Sequence, residues 1–206
     1  MRSRIRKPVS AIPKRLTPIR PTSRRTYLSA SRCLRTVNPV QQVRTFLLAE
    51  NGWVPNNSRL PVILYLNVFE RRKDIAPQEM ETLFRQNGWL PRWRAGVYAY
   101  HHYHTTSHEV LGIVDGYARL VLGGPDGPEV PVRAGQVLLI PAGVGHRRVF
   151  ADENFLVVGA YPGGQDWDLC KGPPVDAMRE RIANLPLPDM DPVEGANGLL
   201  KHLWHT

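Results

Sequence analysis

A chain of 206 residues, 42% of them hydrophobic and 22% charged, is long enough for one domain with a sizeable core and short for two. This is the composition of a soluble globular protein, and no apolar run approaches the roughly 18 residues a membrane span needs. The formal net charge of +9 suggests nucleic acid, yet residues 1–39 hold eleven Lys or Arg and no Asp or Glu, so the remainder carries 16 basic against 18 acidic residues and nucleic acid is set aside as a partner of the body of the chain.

The leader, "MRSRIRKPVSAIPKRLTPIRPTSRRTYLSASRCLRTV", is rich in Arg and Ser, lacks acids and has no apolar h-region. Those are the features of a mitochondrial presequence. Within it, "RRTYLSAS" has the look of a matrix-processing site, with Arg25 two residues ahead of Tyr27 and cleavage expected near Tyr27 or somewhat later. Pro8, Pro13, Pro18 and Pro21 interrupt the amphipathic helix that import would read, so a disordered basic arm touching nucleic acid or anionic lipid is the competing reading. The expected location is the mitochondrial matrix after removal of the leader, with the cytoplasm as the alternative. Cys33 lies in the leader and only Cys170 in the body. A mature chain then has no intrachain disulfide, which suits a reducing compartment, and Cys170 reads as a buried structural thiol.

From Val43, "VRTFLLAENGWVPNNSRLPVILYLNVF" offers short apolar runs cut by Gly, Pro and Asn, an extended segment with a turn near Pro55 to Asn57. In "APQEMETLFRQNGW", Pro77 suits a first helical turn, Gly88 a helix stop, and Met80, Leu83, Phe84 and Asn87 fall at helical spacing. One short helix packed by its apolar face is expected there. Between Gly96 and about Tyr161 the pattern changes to brief alternating runs cut by "GGPDGP", "AGQ" and "PAGVG", which predicts several short strands in a sandwich or barrel. The tail, residues 162–206, is rich in Pro and Asp, with one short helix over Pro174 to Ala183, and is expected to wrap the barrel. No internal repeat is present.

Residues 101–109, "HHYHTTSHE", gather four of the seven histidines and a glutamate. Along a strand, side chains alternate faces, so His102 and His104 share a face about 7 Å apart and can converge on one metal ion. Tyr98 and Tyr100 have the same parity and are expected to line the same interior, whereas His101 and Tyr103 face away. After a turn at "TTS", a second strand starts near His108. Glu109 shares parity with Leu111 and Ile113, and His108 with Val110, Gly112 and Val114. Both faces are apolar, so parity leaves the choice between Glu109 and His108 open. A carboxylate among apolar side chains is costly unless a cation meets it, and a divalent ion beside two histidines would do so. A further ligand can come from "GQVLLIPAGVGHRRVF", where "PAGVG" turns the chain and His146 opens the next strand. Arg148 shares the face of His146 and is a natural clamp for a carboxylate or phosphate. His202 and His205, beside Trp204, read as surface residues.

The stretch from Gly96 to Gly116 reads G-x5-H-x-H-x4-E-x6-G, and that from Gly135 to His146 reads G-x5-P-x-G-x2-H. Together they resemble the two signature motifs of the cupin superfamily. The resemblance implies an all-β double-stranded β-helix, a jelly-roll barrel with a few peripheral helices, in which His102, His104, Glu109 and His146 hold one metal ion. In the family's second motif an Asn follows four residues after the histidine, and here that position is Phe150. A narrower set of runs, among them "NNSRLPVILY", "YHTTSHEVLGIVDG", "IPAGVGHRR" and "LPLPDMDPVEG", is similar to the YjlB-like branch of cupins from about residue 40 to the end. The expected organisation is a leader over 1–39 and one cupin domain over 40–206, with a barrel core at about 95–161 and a wrap at 162–206.

Such a ligand set suits Fe, Mn, Ni, Co or Zn without choosing among them. The expectation is a mononuclear metal-dependent enzyme of dioxygenase type acting on a small oxygenated, anionic metabolite, with Tyr98, Tyr100 and Arg148 as candidate catalytic residues. A redox-neutral isomerase or decarboxylase, and a non-catalytic metal- or small-molecule-binding cupin, are the alternatives. By analogy with the family, a homodimer paired through residues 43–48 is a further expectation.

Overall fold

The computed structural model describes residues 42–69, 72 and 74–204. The leader read as a presequence, Cys33 and His205 lie outside the described residues. In chain order the elements are β1 (Val43–Leu48), β2 (Asn57–Tyr65), α1 (Pro77–Gln86), β3 (Trp89–Ala95), β4 (Glu109–Asp115), β5 (Tyr117–Leu122), β6 (Glu129–Arg133), β7 (Val137–Ile140), β8 (His146–Ala151), β9 (Leu156–Pro162), α2 (Asp176–Asn184) and α3 (Leu200–Leu203). The strands form two antiparallel sheets, β1-β2-β7-β4-β9-β3 and β6-β5-β8, the two walls of a jelly-roll barrel.

The large sheet is buried on both faces, which is why β4 and β7 read as unbroken apolar runs. Leu111, Ile113, Leu138 and Ile140 point into the barrel and meet Leu120 and Leu122 of the small sheet. Val110, Val114, Val137 and Leu139 point outward into a second core with Met80, Phe84, Trp89 and Trp204. Gly112 explains how α1 comes so close: a Cβ there would lie 2.4 Å from Met80 Cγ. The helix itself begins at Pro77, with the Glu79 carboxylate accepting the Ala76 N–H at 3.2 Å, and ends at Gly88, whose φ of 77° reverses the chain.

The sheet reaches beyond the expected 95–161 core. β2 pairs with β7 through Ile63 opposite Leu139, and β3 pairs with β9 through Trp93 opposite Gly159. The tail does wrap, and a buried carboxylate ties it down. Asp191 accepts the Tyr65 hydroxyl at 2.5 Å and the Leu200 N–H at 2.9 Å, while Trp204 Nε1 donates to the Pro61 carbonyl at 2.8 Å. Among the described residues no helix is long and apolar enough to cross a membrane.

Candidate metal centre

Residues 97–108 form no continuous strand and bend at 99–100 and 105–106, and two single antiparallel bridges set the facing of the residues between. His102 pairs with His146 and Tyr103 with Cys170. Alternation therefore holds locally: the His102 ring lies 4.1 Å from that of His146, whereas Tyr103 turns the other way and donates its hydroxyl to the Gly172 carbonyl at 2.8 Å. One ring nitrogen from each of His102, His104 and His146 falls within 4.8 Å of the others, and all three side chains are buried. This trio could hold a metal ion.

The ring orientation is set from behind. His102 Nδ1 faces the Tyr100 carbonyl and His146 Nδ1 the Val144 carbonyl, each at 3.3 Å, and His104 Nδ1 contacts the Asp168 carbonyl. A carbonyl only accepts, so each Nδ1 carries the hydrogen and each Nε2 presents a lone pair inward. Glu109 completes the arrangement, with Oε2 at 3.1 Å from His146 Nε2 and 3.5 Å from His104 Nε2. Both Glu109 Oε2 and His104 Nε2 are buried without a hydrogen-bond partner. Bare acceptors that converge in the interior require something positive among them, either a proton or a cation. The donor set of imidazoles and a carboxylate fits a divalent transition ion.

The electrostatics agree. Burial by itself would raise the Glu109 carboxyl, but the facing His104 and His146 outweigh it and hold the group well below the usual carboxylate range. For His104 burial opposes protonation, and Glu109 with the Asp168 carbonyl overcomes it, so its value moves up. Burial beside His146 pushes His102 down to about 3.

Three further groups support the site. Tyr161, on β9, donates its hydroxyl to Glu109 Oε1 at 2.7 Å and receives Trp93 Nε1–H at 3.0 Å. Trp93 lies over Gly159, where a Cβ would come within 2.0 Å of its ring. Asp168 lashes the tail to the histidine loop: its carboxylate accepts the Thr105 N–H at 2.6 Å and the Thr105 hydroxyl at 2.5 Å, next to its own contact with His104. Cys170 is half-buried and its thiol donates to Asp168 at 3.4 Å; burial, then the Asp168 charge, pushes it up to about 12. None of these partners has a local signal in the sequence. Each contact joins residues 52 to 68 positions apart, apart from Cys170 with Asp168.

A cavity of about 280 Å³ opens onto His102, His104, His146 and Glu109, walled by Val97, Leu111, Trp93, Tyr98, Tyr161, Trp167 and Leu169. Tyr98 stands in this wall, 51% exposed and edge-on to His102. Tyr100, 40% exposed, stacks on Tyr98 outside the lining and carries Lys171 Nζ over its ring. Arg148 is absent from the lining, and its Nε–H is engaged by the Val97 carbonyl at 3.1 Å, a bond it would have to leave to act as a clamp. His108 lies on the opposite face of the sheet, its ring 4.8 Å from that of Trp204 and its Nδ1 accepting the Ala142 N–H. The open parity question is thus answered by position: Glu109, and not His108, meets the histidines. Phe150 packs outside the barrel against Tyr117 and beneath Arg119. Larger clefts of about 470 and 670 Å³ include none of the histidine trio.

Comparison with known proteins follows the same line. The family profile described as "Cupin domain" matches residues 93–157. The uncharacterized protein YjlB of Bacillus subtilis (strain 168) is 33% identical over 166 residues, which are 80% of this chain and 98% of YjlB. Among solved structures, the DMSP lyase DddQ of Ruegeria pomeroyi is 18% identical with a TM-score of 0.31, over 63% of this chain and 50% of that one. The oxalate decarboxylase of Bacillus subtilis is 16% identical with a TM-score of 0.30, over 55% of this chain and 24% of that one.

Proposed function

The chain belongs to the YjlB-like branch of the cupin superfamily, and from that premise we propose that it is a mononuclear metal-dependent enzyme, of dioxygenase type, acting on a small oxygenated metabolite that is anionic at its reacting end. The observation that carries the reading is the pair of buried, unpartnered acceptors, His104 Nε2 and Glu109 Oε2, at the floor of a small walled cavity. His102, His104, His146 and Glu109 would hold the ion. A divalent ion there supplies Lewis acidity towards a carbonyl or enolate oxygen and, when redox-active, electrons for reaction with dioxygen.

The chain's own residues do the rest. Tyr161 keeps one carboxylate oxygen of Glu109 occupied, so the other is left for the site. Val97, Leu111 and Leu169 give the cavity an apolar lining that suits dioxygen. Tyr98 presents a phenol at the cavity wall, placed to give or take a proton at a substrate oxygen. In a dioxygenase both oxygen atoms enter the product, so no separate reductant is required. The position of Tyr98 also favours a second reading, a redox-neutral isomerase or decarboxylase, in which the phenol delivers the proton to carbon.

Oxygen uptake separates the two. Metal-free protein is loaded with iron(II) and assayed with an oxygen electrode against 2-oxo acids, 1,3-diketones and enediols. Uptake that depends on both iron and one substrate is the expected result. Silence with iron, together with product formation in the zinc or manganese form, would transfer the assignment to the redox-neutral reading. We place the protein in the mitochondrial matrix on the composition of residues 1–39.

A further inference from the structure

The cavity wall is poor in free polar groups, and each one can be accounted for. Among the described residues, no Lys, Arg, Asp, Ser, Thr, Asn or Gln side chain lines it. The indole N–H of Trp93 is taken by Tyr161, and the Tyr161 hydroxyl by Glu109. The three imidazoles and the second oxygen of Glu109 face one another at the floor. Among the described residues this leaves two lining side-chain groups of the wall without a hydrogen bond, the Tyr98 hydroxyl and the Trp167 indole N–H, both partly exposed.

Four aromatic side chains, Trp93, Tyr98, Tyr161 and Trp167, make up much of the remaining surface. Trp167 lies flat on Tyr161, centroids 4.5 Å apart and planes within 5°, yet stays 41% exposed. Leu169, also 41% exposed, and Tyr98 join it in belonging both to the lining and to the outer surface, so they mark the mouth. Aromatic walls of this kind recognise a flat apolar body and offer a hydroxyl-rich one few partners, the Tyr98 hydroxyl and the Trp167 N–H alone. Burying such a polar body would strip water from hydroxyls without replacing it.

We infer that the substrate, on the metal-centred reading above, has a single oxygenated end directed at the histidine cluster and a planar apolar body held between Tyr98 and Trp167, which excludes sugars, polyols and polycarboxylates. Trp167 and Leu169 determine this preference. The negative charge at the reacting end is met at the floor, since among the described residues no Lys or Arg lines the wall.

The test uses three hydroxamates that share one metal-chelating head and differ in the body: acetohydroxamate, benzohydroxamate and gluconohydroxamate. Each is titrated calorimetrically into the zinc-loaded full chain and into Trp167→Ala and Leu169→Ala variants of verified zinc content. Benzohydroxamate should bind about tenfold or more tightly than acetohydroxamate, since ring burial against a methyl is worth at least that factor, and gluconohydroxamate should be weakest. The ratio of the first two should shrink in both variants. Equal or tighter binding of gluconohydroxamate would overturn the inference, as would a phenyl preference that neither variant reduces; in both cases the metal reading stands. No binding of any of the three would overturn the metal-centred reading and this inference with it.

Discussion

Tyr161 donates to Oε1 of Glu109 at 2.7 Å and so leaves Oε2 to face His146 and His104. The proton stays on the phenol, because burial and then the Glu109 charge raise its ionisation far above the ordinary tyrosine value. Tyr161→Phe should therefore keep the fold and weaken metal binding by roughly tenfold or more. Competition against a chromophoric chelator measures this. Unchanged affinity would mean that the phenol does not position Glu109.

His104→Ala should lose metal while the barrel stays folded. The ring would contribute a ligand atom at the floor and makes one contact to Asp168, and the two hydrophobic cores do not include it. Elemental analysis after purification without chelator should show about one equivalent of metal in the parent protein and almost none in the variant. Full occupancy in the variant would remove His104 from the ligand set.

The His104–Glu109 pair sets a pH dependence. In metal-free protein His104 is raised above 6.5, so its stabilising contribution is complete below pH 6.5 and lost as pH rises through the raised value. Glu109 is depressed, so its contribution is present above pH 4.5 and lost as pH falls through the lowered value. A metal ion must displace the proton on His104. Zinc affinity should thus rise about tenfold per pH unit below the raised value, with about one proton released per site in weakly buffered titrations. A flat profile between pH 6 and 8 would contradict the pairing.

Gly159→Ala tests the support beneath the site. The added Cβ would lie 2.0 Å from the Trp93 ring, and β3 and β9 are paired at that point. Overpacking of this order costs roughly 1–3 kcal/mol, and displacing Trp93 breaks its bond to Tyr161. A lower urea midpoint together with weaker metal binding is expected. A lower midpoint with normal metal affinity would uncouple Trp93 from the centre.

His102, His104 and His146 were legible because facing depends on local alternation and on a turn two residues from His146, features that survive even where the strand is reduced to single bridges. Helix α1 was legible for the same kind of reason: Pro77, the spacing of Met80 and Phe84, and Gly88 all act within one short stretch. The choice of Glu109 over His108 was not legible in the alternation of side chains and came only from the spacing shared with cupins. β4 is apolar on both sides, and only the register with β7 and β9 decides which side is the barrel interior. Tyr100 shares parity with Tyr98 but lies beyond the mouth, where the chain has left regular pairing and alternation no longer decides exposure. Tyr161, Trp93 and Asp168 are visible only once β3, β9 and the tail have been brought to the histidines.

The lashing of Asp168 to Thr105 and His104 has a consequence for biosynthesis. A ribosome-bound chain that has displayed both motif segments still lacks the carbonyl that orients His104 and the phenol that orients Glu109, since Tyr161 and Asp168 are made last among the groups that shape the floor. If the histidines hold a metal, the site would therefore reach its full affinity only once the tail has closed over them, and a product ending before residue 168 would bind the ion more weakly than the complete chain.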